Sequence, residues 1–205
     1  MTDLAVRCEC GEVRGTLRDA TPERGNHVLC YCHDCRAFAQ LCGGDALDAG
    51  GGTELVQSSV GLLGIEAGGE HLACVRLTAR GPVRWYAACC ETALFLTLPS
   101  PALPFVTLVA PALGGSREAR DAAVGPVAGA AFTGSAKGPV RAPKLGIGGM
   151  ARLYGRFAKL MVWARRRGHH RLSPLHRDGR PIAEPRRLDE AERQALRERP
   201  LPERP

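Results

Sequence analysis

The sequence predicts a mainly β fold, a small zinc-stapled β domain with a helical, basic extension at its C-terminal end. Three observations carry this reading. Short apolar or β-branched runs bounded by Gly, Pro, Asp and Asn fill the first half of the chain, as strands between turns do. Seven of the nine cysteines fall into three tight groups, and basic residues crowd into the last quarter. Of 205 residues 44% are hydrophobic, enough for a core, but 25 Gly and 15 Pro against 5% aromatics favour short strands and many turns over long helices.

In chain order, strands are expected at Leu4–Arg7, Glu12–Leu17, His27–Tyr31, Thr53–Gln57, His71–Leu77, Val83–Ala88 and Leu94–Leu98. Asp34–Leu41 reads as one short helix. Gly50, Gly51 and Gly52 make a loop or a close backbone approach before a strand. Thr92–Ser116 carries no charge, yet Pro99, Pro101, Pro104 and Pro111 interrupt it, so it reads as buried strands with turns rather than a membrane span. The β domain is thus placed at 1–111, with a Gly/Ala/Pro-rich connection over 112–149 and the extension over 150–205. No internal repeat is visible.

The extension begins with a helix over Met150–Arg167. Met150, Leu153, Tyr154, Phe157, Leu160, Met161 and Ala164 recur at steps of three and four on one face, while Arg152, Arg156 and Lys159 lie off it. The expected role is to pack that face on the β domain, with Leu153, Phe157, Leu160 and Met161 buried. A membrane-surface or partner-binding helix is the alternative. A last helix is expected from Asp189, whose capping box closes on Glu192, to before Pro200. The rest of the chain after His169 is expected to be loosely ordered. Residues 1–150 hold 13 Lys and Arg against 14 Asp and Glu, whereas 151–205 hold 15 against 7. The body is near neutral, and the surplus of the tail suits nucleic acid, an acidic membrane surface or an acidic partner, or reflects an Arg-rich composition.

Met1–Val13 lacks the basic start, apolar run and cleavage site of a secreted chain, so a cytoplasmic location is expected. In a reducing compartment, spaced cysteines read as metal ligands. The groups are Cys8 with Cys10, then Cys30, Cys32 and Cys35, then Cys89 with Cys90; Cys42 and Cys74 stand apart and read as small buried hydrophobes. Seven thiolates suit one closed four-sulfur zinc and one three-sulfur zinc with an open position. Spacing alone does not say which group serves which site, although Cys30, Cys32 and Cys35 are compact, while Cys8 and Cys10 need distant partners.

The motifs Cys8-Glu9-Cys10-Gly11, Cys30-Tyr31-Cys32-His33-Asp34-Cys35-Arg36 and the late Cys89-Cys90-Glu91-Thr92 together resemble the family of glutathione-dependent formaldehyde-activating enzymes and centromere protein V, over roughly Val6 to Leu98. The resemblance implies a small zinc β-tent. It implies a structural zinc held by Cys8, Cys10 and the late pair, and a catalytic zinc held by Cys30, Cys32 and Cys35. The late element departs from the family pattern, because Ala87 stands where the first of its cysteines belongs and Cys90 matches the second. Neighbouring residues on a strand point to opposite faces, so Cys89 can replace the missing ligand only if the backbone turns there.

By the same resemblance the chain is a zinc-dependent carbon-sulfur lyase-like enzyme acting on a thiol adduct, with a glutathione-type thiol and an aldehyde as the substrate class. Arg36 and Arg84 are candidate contacts for a substrate carboxylate or else solvated charges. His33 is a proton carrier, a neighbour of the zinc ligands or an exposed turn histidine. The competing class is a non-catalytic zinc-stabilised module whose basic tail meets nucleic acid or an acidic partner. Arg165–Arg171 fits phosphate contacts, but interleaved Asp178, Asp189 and Glu190 and the lack of aromatics after Trp163 argue against specific recognition.

Overall fold

A computed structural model describes residues 2–202 and is mainly β, with thirteen strands and four α-helices among the described residues. The strands are β1 (Thr2–Arg7), β2 (Arg14–Ala20), β3 (Asn26–Cys30), β4 (Thr53–Ser58), β5 (Leu63–Ala67), β6 (Leu72–Arg76), β7 (Val83–Ala87), β8 (Thr92–Thr97), β9 (Val106–Val109), β10 (Ala130–Ala131), β11 (His176–Arg177), β12 (Arg180–Pro181) and β13 (Arg186–Arg187). The helices are α1 (His33–Leu41), α2 (Arg117–Val124), α3 (Ile147–Arg166) and α4 (Glu190–Glu198).

A large sheet runs β10-β3-β4-β9-β8-β7-β6-β13, and a small one runs β1-β2-β5. The six inner strands of the large sheet are antiparallel; β10 and β13 add to its two ends in parallel. Side-chain alternation gives the large sheet two working faces. On one, Val56, Val83, Trp85, Phe95 and Leu108 pack with Leu4, Val6, Leu17 and Leu63 of the small sheet. On the other, Val28, Cys30, Leu55, Val75, Leu96 and Val109 pack with Ala37 and Phe38 of α1 and Leu196 of α4. The large sheet is therefore covered on both sides, and a charged residue on its helix-facing side is drawn into the interior.

The uncharged Thr92–Ser116 stretch supplies β8, β9 and a short 3-10 turn at Ala110–Ala112, with Pro99, Pro101 and Pro104 in the connection between the strands and Pro111 inside the turn. β5 and α2 add to the expected elements. Among the described residues no helix is long and apolar enough to cross a membrane.

The tail departs from expectation. Far from being loosely ordered after His169, it is bonded to the β structure: the His169 ring lies 2.8 Å from the Ser59 hydroxyl, and His169, Leu175, Leu188 and Leu196 are buried. A methyl group on Gly61 would come within 2.6 Å of the His169 ring, so glycine is what permits this approach. The α3 expectation holds in part. Leu160 and Ala164 are buried, whereas Leu153, Phe157 and Met161 are half-buried. Phe157 meets Phe105 edge-on at 4.9 Å. Arg152, Arg156 and Lys159 are exposed, as expected, and the Arg156 guanidinium bonds the carbonyls of Pro22 and Gly25. Leu175 lies in the core between the sheets with no exposure; Leu175→Ala is expected to cost about 2–5 kcal/mol through the cavity it leaves, read as a lowered thermal midpoint.

Candidate metal centres

The first cluster sits where two hairpins from different sheets meet. Cys8 and Cys10 lie in the turn between β1 and β2. That turn is shaped by a backbone bond from Gly11 to the Cys8 carbonyl and by the Val13 amide, which donates to the Cys8 sulfur at 3.2 Å. Cys89 and Cys90 lie in the turn between β7 and β8. The strand ends at Ala87, the Cys90 amide reaches back to the Ala87 carbonyl, and Glu91 takes a left-handed conformation. This is the backbone turn that the Ala87 departure requires, and it sends both sulfurs to one side.

Cys8, Cys10, Cys89 and Cys90 then place their sulfurs within 4.8 Å of one another. Cys8 is 3.4 Å from Cys10 and 4.0 Å from Cys89, and Cys10 is 3.3 Å from Cys89. A tetrahedral zinc with Zn–S bonds of about 2.3 Å sets its sulfurs roughly 3.8 Å apart, so four cysteines at this spacing can close around one ion. Thr92 ties the two turns together, accepting from the Glu9 amide at 3.0 Å and touching the Cys90 sulfur at 3.1 Å. Burial, then contact with Cys10 and Cys90, pushes the Cys89 thiol up to about 12. At Cys90 burial works upward, but the Thr92 hydroxyl and the Cys10 amide outweigh it and bring the thiol to about 6. Thr92 was not expected among the site residues; its signal was its place directly after the late cysteine turn.

The second cluster is Cys30, Cys32 and Cys35, whose sulfurs also lie within 4.8 Å of one another. Cys30 ends β3, Cys32 caps the start of α1, and Cys35 lies in its first turn, its amide donating to the Cys32 sulfur at 3.4 Å. A helix start favours negative charge, and so favours a thiolate at this corner. Contacts from the Cys30 and Cys35 thiols, with help from the Arg84 charge, hold Cys32 down near 2, while Cys30 is raised by the same contacts and by burial. Among the described residues no fourth Cys, His, Asp or Glu joins the group. Cys30 and Cys35 are buried, and the half-buried Cys32 is the sulfur of the three nearest to solvent.

Arg36 and Arg84 are not solvated charges. They are 1% and 4% exposed, on the side of the sheet that carries the triad. Arg36 donates to the Ser135 carbonyl at 2.7 Å and to His33 Nδ1 at 3.0 Å. Since a guanidinium only donates, that ring nitrogen is an acceptor, and His33 itself is exposed. Arg84 lies over the Phe38 ring at 5.6 Å, and its Nη1 has no hydrogen-bond partner. Burial of Arg84 follows from the double covering of the sheet, which the strand pattern at Val83–Ala87 does not reveal by itself, whereas Arg36 lies on α1 and is held by the Ser135 carbonyl.

The glycine loop is a close approach of backbones, since a methyl group on Gly50 would come within 2.3 Å of the Pro139 carbonyl, and the Asp48 carboxylate accepts from the Gly50 and Gly52 amides and from the Tyr31 hydroxyl, the last at 2.6 Å. This fixes Tyr31 between Cys30 and Cys32. Behind α1, α4 acts as a buttress, with Arg197 bonding Asp34 at 2.9 Å and Arg199 bonding the Gln40 carbonyl at 2.9 Å. Cys42 and Cys74 stand apart, as expected, with burial pushing their thiols up to about 12 and about 11.

Fold and sites together define a mainly β protein, two main sheets and a two-stranded β11-β12 hairpin, carrying two cysteine clusters that could each hold a metal ion. The chain belongs to a family of unknown function, DUF6151, whose model matches residues 2–186. No curated protein matches it.

Proposed function

We propose that the protein is a zinc-dependent enzyme of the carbon-sulfur lyase type, with one zinc that staples the fold and one that works on a thiol adduct. The observation carrying this reading is the unequal ligand count: four sulfurs in one cluster and three in the other. Soft, tightly spaced thiolates suit zinc. The cysteine motifs also resemble those of the glutathione-dependent formaldehyde-activating enzymes, which supports a β-tent assignment and supplies the substrate class, a glutathione-type thiol joined to an aldehyde.

When bound at the triad, zinc would supply a Lewis acid with room for one more ligand. The chain's own residues do the rest. Cys30, Cys32 and Cys35 hold the metal, and the start of α1 and the two buried arginines offset their negative charge. The unpartnered Nη1 of Arg84 is buried, and its charge favours thiolate at Cys32. His33 steers Arg36 rather than taking a proton at Nδ1, because that atom already accepts from the guanidinium. In the adduct, the bond between sulfur and the hydroxyl-bearing carbon breaks. Its electron pair stays on sulfur, the hydroxyl releases its proton to solvent, and the aldehyde carbonyl forms; adduct formation is the reverse.

The rival reading, a module whose basic tail binds nucleic acid, has less support. Several tail cations are engaged within the chain: Arg186 with Glu192, Arg193 with Glu190 and Arg197 with Asp34. Metal content of protein purified without chelator, measured beside turnover of S-hydroxymethylglutathione, tests the proposal. Two zinc ions per chain and turnover of a thiol-aldehyde adduct are expected. A single zinc, or two zinc ions with no turnover of any such adduct, would overturn the enzymatic reading.

A further inference from the structure

α3 does not spend all of its apolar surface on the domain. Its inner side carries buried Leu160 and Ala164 with half-buried Leu153 and Phe157. Positions 147, 151, 154, 158 and 162, at steps of four and three, form a second stripe turned outward. On it Ile147 is 93% exposed, Tyr154 59% and Val162 52%, with exposed Ala151 and Ala158 between them. Alongside runs a cationic stripe of Arg152, Lys159 and Arg166, all exposed, and the 20 residues of α3 contain no Asp or Glu. Where the two stripes meet, a surface groove of about 540 Å³ is lined by Ala158, Lys159, Val162, Trp163, Arg166 and Arg167.

We infer that the outer face of α3 docks in the plane of an anionic lipid bilayer surface, seating Ile147, Tyr154 and Val162 among the acyl chains while Arg152, Lys159 and Arg166 reach lipid phosphates. Charge complementarity selects this occupant. An exposed apolar stripe beside an unbroken cationic one is the pattern of helices that lie in the membrane interface, where juxtamembrane cations meet anionic headgroups. A second copy of this chain, packed stripe to stripe, would bring the two sets of cations together without a counter-charge. Nucleic acid would satisfy the cations and leave the apolar stripe in water. The inference is independent of the zinc reading.

The test is co-sedimentation of the full chain with phosphatidylcholine vesicles, with and without phosphatidylglycerol. Binding to the anionic vesicles alone, weakening as salt rises, is expected. Ile147→Asp/Val162→Asp should lower the partition coefficient at least tenfold. Arg152→Gln/Lys159→Gln should lower it about fivefold for each cation removed. These side chains are exposed, so unchanged thermal midpoints are expected in both variants. Absence of binding to anionic vesicles at low salt overturns the inference, as does binding that ignores the Ile147/Val162 pair. Self-association of the free protein that the same pair abolishes would assign the face to a second copy. DNA binding without vesicle binding would assign it to nucleic acid.

Discussion

Cys10→Ser and Cys90→Ser proteins are expected to be insoluble, or to melt far below the parent. The cluster they belong to joins the β1-β2 turn of one sheet to the β7-β8 turn of the other, some eighty residues away. A zinc held there contributes directly to folding, because the unfolded chain has no preformed site for it. Losing a metal belongs to the small set of changes that cost more than about 4 kcal/mol, a fall of roughly 8–16 °C in Tm at this chain length. Cys74→Ser is the control, since its sulfur is buried in the core, belongs to neither cluster and bonds the Ala183 carbonyl. Should Cys10→Ser and Cys74→Ser melt together with metal content unchanged, the four-cysteine cluster is not a staple.

Cys32→Ser is expected to retain the fold, release one of two zinc ions and lose turnover of any thiol-aldehyde adduct. The reason is positional. Cys30, Cys32 and Cys35 belong to one short stretch, the end of β3 and the start of α1, so a metal there closes almost no loop, and α1 is also held by Phe38 and by α4. Circular dichroism, zinc content and turnover measured on the same sample separate the outcomes. Unfolding as severe as that of Cys10→Ser would abolish the division between a stapling and a working site. Full turnover by the variant would remove the triad from the chemistry.

Both clusters were legible because thiolate chemistry is local: sulfurs two or three residues apart already share a neighbourhood before the fold is known. The long-range pairing of Cys8 and Cys10 with Cys89 and Cys90 came instead from a resemblance, and the unusual adjacency of Cys89 and Cys90 was resolved by a turn that strand alternation alone does not foresee. The strands with β-branched and aromatic runs, such as Val83–Ala87, read clearly. β5 did not, since Leu63-Gly64-Ile65-Glu66-Ala67 carries little strand propensity and is set by pairing with β2, where Thr16 faces Gly64 and Leu17 faces Leu63. α2 was hidden in an Ala/Gly-rich region because it buries only Ala123 and Val124. The tail misled for a related reason. Strands of two residues have no periodicity to read, and the burial of Leu175 and Leu188 depends on partners a hundred residues earlier.

The placement of β10 and β13 at the two ends of the large sheet has a consequence for the chain as it leaves the ribosome. β3 and β6 are the lateral strands of the inner sheet, and each waits for a partner about a hundred residues downstream. Strands in that state offer open backbone donors and acceptors to any neighbouring chain. At 5–20 residues per second, the roughly 110 residues between β6 and β13 take about 6–22 s to synthesise. Throughout that interval the open edge of β6 is available for pairing with a neighbouring chain, even with all seven cluster cysteines already in place.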